Sequence, residues 1–219
     1  MLSVENLSVI EAEGARLLEL GRRNPDLSVP QYPEWTVRDL ISHTASIHGR
    51  TTLVCQTLPL KRISAPRLPE GADELDWYEE TLAGMLASLR AADPTSEVWA
   101  FDSVGTIAFW ERRMVVETGV HRWDAEQAFG EPDPLLDEVS RAGLDEFPVM
   151  WLQHLGELPP LQLRATDLDE TWVYGTDHPE QIVEGTASEI YLRLMARQGV
   201  ELPESWAKAI DRMAPPPKR

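Results

Sequence analysis

The segment VGTIAFWERRMVVETGVHRWDAEQAF, residues 104–129, decides the fold of this chain. It has no proline and only two glycines, Gly105 and Gly119, and it is long enough for roughly six to seven helical turns. Apolar side chains surround most of this predicted helix, which is typical of a helix that is buried on several sides. We therefore expect residues 104–129 to form the central helix of a bundle.

One stripe of the predicted central helix is ionisable. Its members are three or four residues apart, a spacing that places side chains on the same helix face: Arg113, Glu117, His121 and Asp124. Buried ionisable groups persist only when they are paired, hydrogen-bonded or bound to a metal. Glu117 and His121 form the pattern E-x-x-x-H, which places two potential metal ligands one turn apart. A third ligand would have to come from another helix.

Helical periodicity also predicts helices on both sides of the central one. They cover residues 4–23, 36–55, 73–92 and 135–155, and the proline-rich residues 56–72 form a loop between the second and the third. Thr36 is predicted to be the N-cap of the helix 36–55, with Asp39 in its first turn. Four or five antiparallel helices joined in this way make a bundle.

His43 is the candidate third ligand, because it lies on the inward face of the predicted helix 36–55. His48 follows five residues later, about 140° further around the helix, so we expect that the two histidines do not face the same interior. Two ligands on one helix and one on a neighbour would leave a coordination position open, as in catalytic rather than structural zinc sites. The alternative for Glu117 and His121 is a structural salt bridge.

Asp124 is the candidate partner of the ligating histidine. An inward carboxylate one turn from a metal-binding imidazole suits a hydrogen bond that orients the ring. The alternative is an ion pair of Asp124 with Arg122 or Arg113.

The sequence pattern changes after Pro159 and Pro160. Alternating and capped segments predict a β-hairpin over 161–175, a strand at 181–184, and helices at 186–198 and 203–213. We therefore predict two domains, a metal-binding helical bundle over residues 1–157 and a small α+β domain over residues 158–219.

Composition limits the class of protein. The 219 residues, 42% of them hydrophobic, suffice for one medium domain or two small ones. Cys55 is the only cysteine, which excludes an intrachain disulfide and favours a reducing cytoplasm. The net charge of −17 disfavours nucleic acids and anionic membranes as partners. We also find no apolar run long enough to span a membrane and no signal-peptide pattern.

Four segments carry a resemblance to a known family. PEWTVRDLISHTASIH (33–48) and FWERRMVVETGVHRWDAEQAFG (109–130) resemble the mycothiol-dependent maleylpyruvate isomerase family, within the DinB-like metal-binding helix bundles. LRATDLDETWVYG (163–175) and VEGTASEIYLRLMAR (183–197) are similar to the C-terminal domain of that family. The resemblance implies a mainly α fold, in which a DinB-like bundle of four to five helices precedes a small α+β domain.

The same resemblance implies a divalent metal, usually zinc, held by His43, Glu117 and His121, and mycothiol, a low-molecular-weight thiol, as cosubstrate. A thiol at the open coordination position would lose its proton near neutral pH. The resulting thiolate would attack a small electrophile, in a cis/trans isomerisation or an S-transfer. The alternatives are a metal-dependent hydrolase on the same bundle and a non-catalytic metal- or ligand-binding protein. Either a monomer or a homodimer is compatible with the sequence.

Arg113 and Asp124 are the candidate catalytic residues beside these ligands. Arg113 could hold a carboxylate of the substrate or thiol by a bidentate contact. The alternative for Arg113 is an ion pair with Glu117 or Asp124.

Aromatic and basic residues could complete the pocket. The candidate residues for walling it and binding the cosubstrate are Trp35, Trp110 and Trp123. The loop 56–72 carries a basic cluster, consisting of Lys61, Arg62 and Arg67. These three side chains either attract an anionic substrate or are simply solvated.

Overall fold

The computed structural model describes residues 4–130, 132–175 and 178–213. These residues divide into two compact units, the first ending at Asp133 and the second beginning at Pro134. The first unit is mainly helical, and the second combines helices with a small sheet, which confirms the predicted fold class. Across the described ranges, no helix has both the length and the apolar character that a membrane crossing requires.

Four helices build the described part of the first unit. They are α1 (Val4–Arg23), α2 (Val37–Thr57), α3 (Glu74–Ala91) and α4 (Ile107–Phe129). Helix α4 packs against α1 and α2, and α2 also packs against α3. Two short antiparallel hairpins complete the unit: β1 (Ser28–Val29) with β2 (Tyr32–Thr36), and β3 (Glu97–Ala100) with β4 (Ser103–Thr106).

Helix α2 begins where the first hairpin ends. The Oγ1 atom of Thr36 accepts a hydrogen bond from the backbone N–H of Asp39, and the Asp39 carboxylate accepts one from the backbone N–H of Thr36. This reciprocal capping box satisfies N–H groups that the start of a helix leaves without partners. The predicted N-cap is therefore confirmed, and the strand that ends in Thr36 also carries Trp35.

Helix α4 is buried along most of its length, as its apolar surface predicts. It ends at Gly130, whose φ of 85° lies in the left-handed region that favours glycine after a last helical turn. It begins at Ile107 and not at residue 104, because Ser103–Thr106 pairs with Glu97–Ala100 as a strand. The prediction for residues 104–106 is therefore wrong.

Within residues 134–175 and 178–213, the second unit has three α-helices and one sheet. Its elements are α5 (Asp137–Met150), β5 (Leu161–Ala165), β6 (Glu170–Tyr174), β7 (Gln181–Gly185), α6 (Ala187–Leu194) and α7 (Glu204–Ile210). Strand β5 lies in the middle of the sheet, antiparallel to β6 and parallel to β7. Leu161, Leu163 and Ala165 of β5 are fully buried, so the predicted alternation of this strand is confirmed.

Helix α5 belongs to the second unit, because it packs against α6 and β6. The sequence places the domain boundary after this helix, at residues 157 and 158, whereas the contacts place the division at Asp133 and Pro134. Helix α5 is also shorter than predicted. It ends at Met150 and is followed by a short 3-10 turn over Leu152–His154.

Candidate metal centre

Three side chains from two helices meet inside the first unit. His43 comes from α2, and Glu117 and His121 come from successive turns of α4. Their potential ligand atoms all lie within 4.8 Å of one another. Glu117 Oε1 lies 3.4 Å from His43 Nε2 and 3.2 Å from His121 Nε2. The structure thus brings together the three residues that the helical spacing predicts as ligands.

The first hairpin supplies an aromatic wall for the two histidines. The ring centroid of Trp35 lies 5.1 Å from that of His43, and the ring centroid of Tyr32 lies 6.4 Å from that of His121. The rings of His43 and His121 meet edge to face at 5.3 Å. Tyr32 and Trp35 are both buried, so this side of the cluster is shielded from water.

Asp124 makes the contact that its position on α4 predicts. Its Oδ2 atom lies 3.1 Å from Nδ1 of His121, and Asp124 is fully buried. A contact at Nδ1 directs the opposite nitrogen, Nε2, toward Glu117. Arg122, the alternative partner of Asp124, pairs instead with Glu13 and Glu126 at 2.9 and 2.7 Å.

Arg113 pairs with Glu117. Its Nη2 atom donates a hydrogen bond to Oε2 of Glu117, and both residues are buried. The two oxygens of the Glu117 carboxylate are therefore divided, with Oε2 toward Arg113 and Oε1 toward the histidines. This contact corresponds to the ion pair with Glu117 that the sequence offers as the alternative for Arg113.

The charges around the cluster shift two pKa values in opposite directions. Burial alone would raise the pKa of Glu117, but the charge of Arg113 and the contacts with His121 and His43 hold it well below its usual range. Burial alone would lower the pKa of His121, but Asp124 and Glu117 together raise it to about 9. In the metal-free protein, His121 therefore carries a proton that a metal ion would have to replace.

The second histidine of α2 departs from the prediction. His48 is fully buried, with Nε2 3.1 Å from Thr118 Oγ1 of α4 and its ring 5.4 Å from that of Tyr78 of α3. Because α3 and α4 both pack on α2, a wide arc of that helix faces the interior. Burial lowers the pKa of His48 to about 3, so this imidazole is neutral. The expectation that only one of the two histidines faces inward is therefore wrong.

A cavity of about 430 Å³ lies against His43. Trp35 lines it, as the sequence predicts for the pocket wall, and so does Trp77, which nothing in the periodicity of α3 singles out. Trp110 and Trp123 do not line this cavity. Trp110 belongs to a separate aromatic cluster, where its Nε1–H donates to the backbone oxygen of Trp99 at 2.7 Å.

The remaining candidate residues are placed as follows. Of the basic cluster in the loop 56–72, Arg67 lines the cavity, and Lys61 and Arg62 do not. Cys55 is partly buried in α2, and burial raises the pKa of its thiol to about 11.

The described part of the first unit is a helical bundle with a His–Glu–His cluster between two of its helices, an arrangement that agrees with the DinB-like metal-binding bundles its sequence motifs resemble. The family model described as the mycothiol maleylpyruvate isomerase N-terminal domain matches residues 7–126, more than half of the chain. The chain therefore belongs to the mycothiol maleylpyruvate isomerase family, as the sequence motifs indicate. Among curated proteins, none matches the chain significantly.

Two solved structures share the fold over most of their length. One is the mycothiol-dependent maleylpyruvate isomerase, with a TM-score of 0.67 and 16% sequence identity, covering 91% of this chain and 94% of that one. The other is a histidine-to-alanine mutant of the enzyme with the same TM-score and coverage and 15% identity. At this level of identity the similarity establishes the fold alone.

Proposed function

We propose that this protein is a mycothiol-dependent isomerase that converts a small cis-alkene conjugated to a ketone into its trans isomer. The observation that carries the proposal is the cluster of His43, Glu117 and His121, the last two of them buried, inside a domain of this family. The two solved structures of similar fold support it, since both are of a mycothiol-dependent maleylpyruvate isomerase.

The chain's own thiol does not provide the nucleophile. Cys55 is the only cysteine, and with a pKa of about 11 it stays protonated near neutral pH. A sulfur nucleophile must therefore come from a cosubstrate. Mycothiol supplies such a thiol, and the dependence on a free thiol accords with a reducing cytoplasm.

The donor set of the cluster fits zinc. One carboxylate oxygen from Glu117 and two imidazole nitrogens from His43 and His121 are a combination that holds catalytic zinc and leaves a position open. When bound there, zinc would lower the pKa of a thiol at its open position, so that the thiolate predominates near neutral pH.

The residues around the cluster fix the orientation and the charge of the candidate ligands. Asp124 holds His121 in one ring orientation, and Arg113 keeps Glu117 ionised by its positive charge. Trp35 and Tyr32 exclude water from one side of the two histidines. This arrangement reduces the competition of water for the open coordination position.

The proposed isomerisation consumes no net reactant besides the alkene. The thiolate sulfur uses its electron pair to form a C–S bond with the alkene, and the alkene π electrons move to the ketone oxygen as an enolate. Rotation about the former double bond follows. The enolate electrons then restore the double bond in the trans geometry, the C–S bond breaks, and the thiolate is regenerated.

Replacement of Asp124 by asparagine tests its orienting role. We expect Asp124→Asn to weaken zinc affinity by roughly tenfold to a hundredfold, because the carboxylate no longer orients His121 or raises its basicity. Competition with a chelator of known affinity measures the change, and circular dichroism checks the fold. Unchanged zinc affinity in a folded variant would contradict the orienting role.

Zinc affinity should depend on pH because of the raised pKa of His121. Below about pH 9 this imidazole is protonated in the metal-free protein, and the proton competes with zinc. We expect affinity to rise about tenfold per pH unit between roughly pH 6 and pH 8, and to level off above the pKa of His121. Chelator competition at several pH values measures the slope, and a flat profile would exclude His121 as a ligand.

A cobalt-substituted protein tests the proposed function directly. Sulfur coordination to cobalt produces a charge-transfer band that oxygen ligands do not, so titration with mycothiol should generate such a band. Mycothiol methylated at sulfur is the matched control and should give none. With the zinc form, a cis substrate such as maleylpyruvate should then be converted to its trans isomer only when mycothiol is present.

Two results would redirect the proposal. A cobalt spectrum that never changes with mycothiol, with the metal demonstrably bound, would contradict the thiol mechanism and favour a hydrolase or a non-catalytic binding protein. Accumulation of a stable mycothiol adduct in place of the trans isomer would identify an S-transferase instead.

A further inference from the structure

Two guanidinium groups line the cavity against His43, and they differ in whether they form ion pairs. Arg38 and Arg67 both line it. Arg38 is engaged in ion pairs, with Glu74 at 3.1 Å and Asp26 at 3.4 Å. Arg67 forms no ion pair within the part of the chain that the structure describes. In a chain with a net charge of −17, an uncompensated cation beside this cavity is available to an anionic ligand.

The segment that carries Arg67 is attached to the same helix as His43. Ser46 of α2 donates a hydrogen bond from Oγ to the backbone oxygen of Pro66 at 2.7 Å. Gly49, one turn further along α2, lies so close to Pro66 that an added Cβ would sit 2.5 Å from its Cγ. Pro66 immediately precedes Arg67, so these two contacts fix the position of the Arg67 backbone relative to α2.

The charge of Arg67 distinguishes between the two reactants of the proposed isomerase. Mycothiol bears no carboxylate, because its cysteine is linked through amides at both ends. A guanidinium beside the cluster therefore has nothing anionic to bind on the thiol. A carboxylate on the electrophile is the complementary group, and the planar guanidinium matches it in a bidentate contact.

We propose that Ser46 and Gly49 fix the loop at Pro66 and thereby hold Arg67 over the cavity, where its guanidinium binds a carboxylate of the electrophile. This inference rests on the proposed function and adds the residue that recognises the electrophile, because a guanidinium at this position favours carboxylate-bearing electrophiles over uncharged ones. Arg67 is then the binding residue, and Ser46 and Gly49 are positioning residues that act through it.

The test is the binding of maleate to the zinc-loaded protein without any thiol, measured by isothermal titration calorimetry. We expect Arg67→Ala to weaken maleate binding about tenfold to a hundredfold, the usual cost of losing a hydrogen bond to a charged group. Ser46→Ala should weaken it by a smaller factor, with unchanged zinc content and thermal stability. Arg62→Ala, which removes a cation of the same loop that does not line the cavity, should change affinity less than about twofold.

Each result bears on the inference. If wild type does not bind millimolar maleate, or if Arg67→Ala binds it as well as Arg62→Ala does, the assignment of Arg67 is overturned. If Arg67→Ala weakens binding and Ser46→Ala does not, the positioning role is overturned. The cobalt titration with mycothiol should be unaffected by Arg67→Ala, so a failure of the thiol mechanism remains distinguishable from a failure of the carboxylate site.

Discussion

Replacing His43 or His121 by alanine should leave the purified protein almost without divalent metal, whereas we expect the wild-type protein to hold about one ion per chain. Each histidine provides one of only three candidate ligand groups in the cluster. Loss of a ligand should therefore weaken zinc affinity by more than the roughly hundredfold that loss of an orienting partner can cause. Elemental analysis of protein purified without chelator measures the content, and isomerase activity should fall in parallel.

His154 offers a matched control for this experiment, because it is exposed and lies outside the cluster. His154→Ala should retain the wild-type metal content. If His43→Ala and His121→Ala also retain it, the ligand assignment is wrong. Circular dichroism of all variants distinguishes loss of a ligand from loss of the fold.

Replacing Arg113 by methionine should destabilise the metal-free protein by up to about 3–5 kcal/mol, because it removes the guanidinium that pairs with the buried Glu117 carboxylate and leaves the protonated His121 as the nearby cation. Methionine retains most of the apolar stem, so packing changes little. The destabilisation should be smaller in the zinc-loaded protein, where the metal compensates the same carboxylate. Urea unfolding with chelator and with zinc measures both free energies of unfolding.

The loss of stability in Arg113→Met should depend on pH. The pKa of Glu117 is held low mainly by Arg113 against the effect of burial, so in Arg113→Met it should rise. Protonation of Glu117 at low pH then removes the negative charge that has lost its guanidinium partner, and the stability difference from wild type should shrink as the pH falls. Arg112→Met is the control, since Arg112 is partly exposed. Equal losses in the two variants would contradict a specific pairing of Arg113 with Glu117.

The grouping of the candidate ligands could be predicted from the sequence because helix geometry fixes it locally. Glu117 and His121 share a face wherever α4 lies, and the capping signal at Thr36 defines where α2 begins. The burial of His48 could not be predicted in this way. It depends on how many helices pack around α2, and the hydrophobic periodicity of α2 alone does not reveal how many neighbours it has.

The hairpin β3–β4 shows another limit of sequence patterns. Its turn places Phe101 at a φ of 57°, in the left-handed region where glycine or asparagine is expected. The aromatic ring of Phe101 is stacked on Trp110 of α4 at 5.5 Å and tilted against Trp99 of the same hairpin at 5.5 Å. Trp110 packs within this aromatic cluster and does not line the cavity against His43.

The sequence spacing of Arg113 is compatible with two different contacts. On α4 it can reach Glu117 at one turn, and its long side chain could equally extend toward a ligand. In the structure both residues are buried and the Arg113 guanidinium donates a hydrogen bond to Glu117. Arg67, by contrast, lies outside any helix. Its place in the wall of the cavity that His43 also lines follows from contacts of Pro66 that no local sequence pattern predicts.

The junction at Thr36 constrains how this site can change over evolution. The strand that places Trp35 beside His43 runs without interruption into the capping box that starts the helix carrying His43. An inserted or deleted residue here would rotate the helix by about 100° and shift the indole at the same time. Length variation among relatives should therefore be excluded from this junction and concentrate in the segment after α2, where substrate preference can diverge while the ligands stay in place.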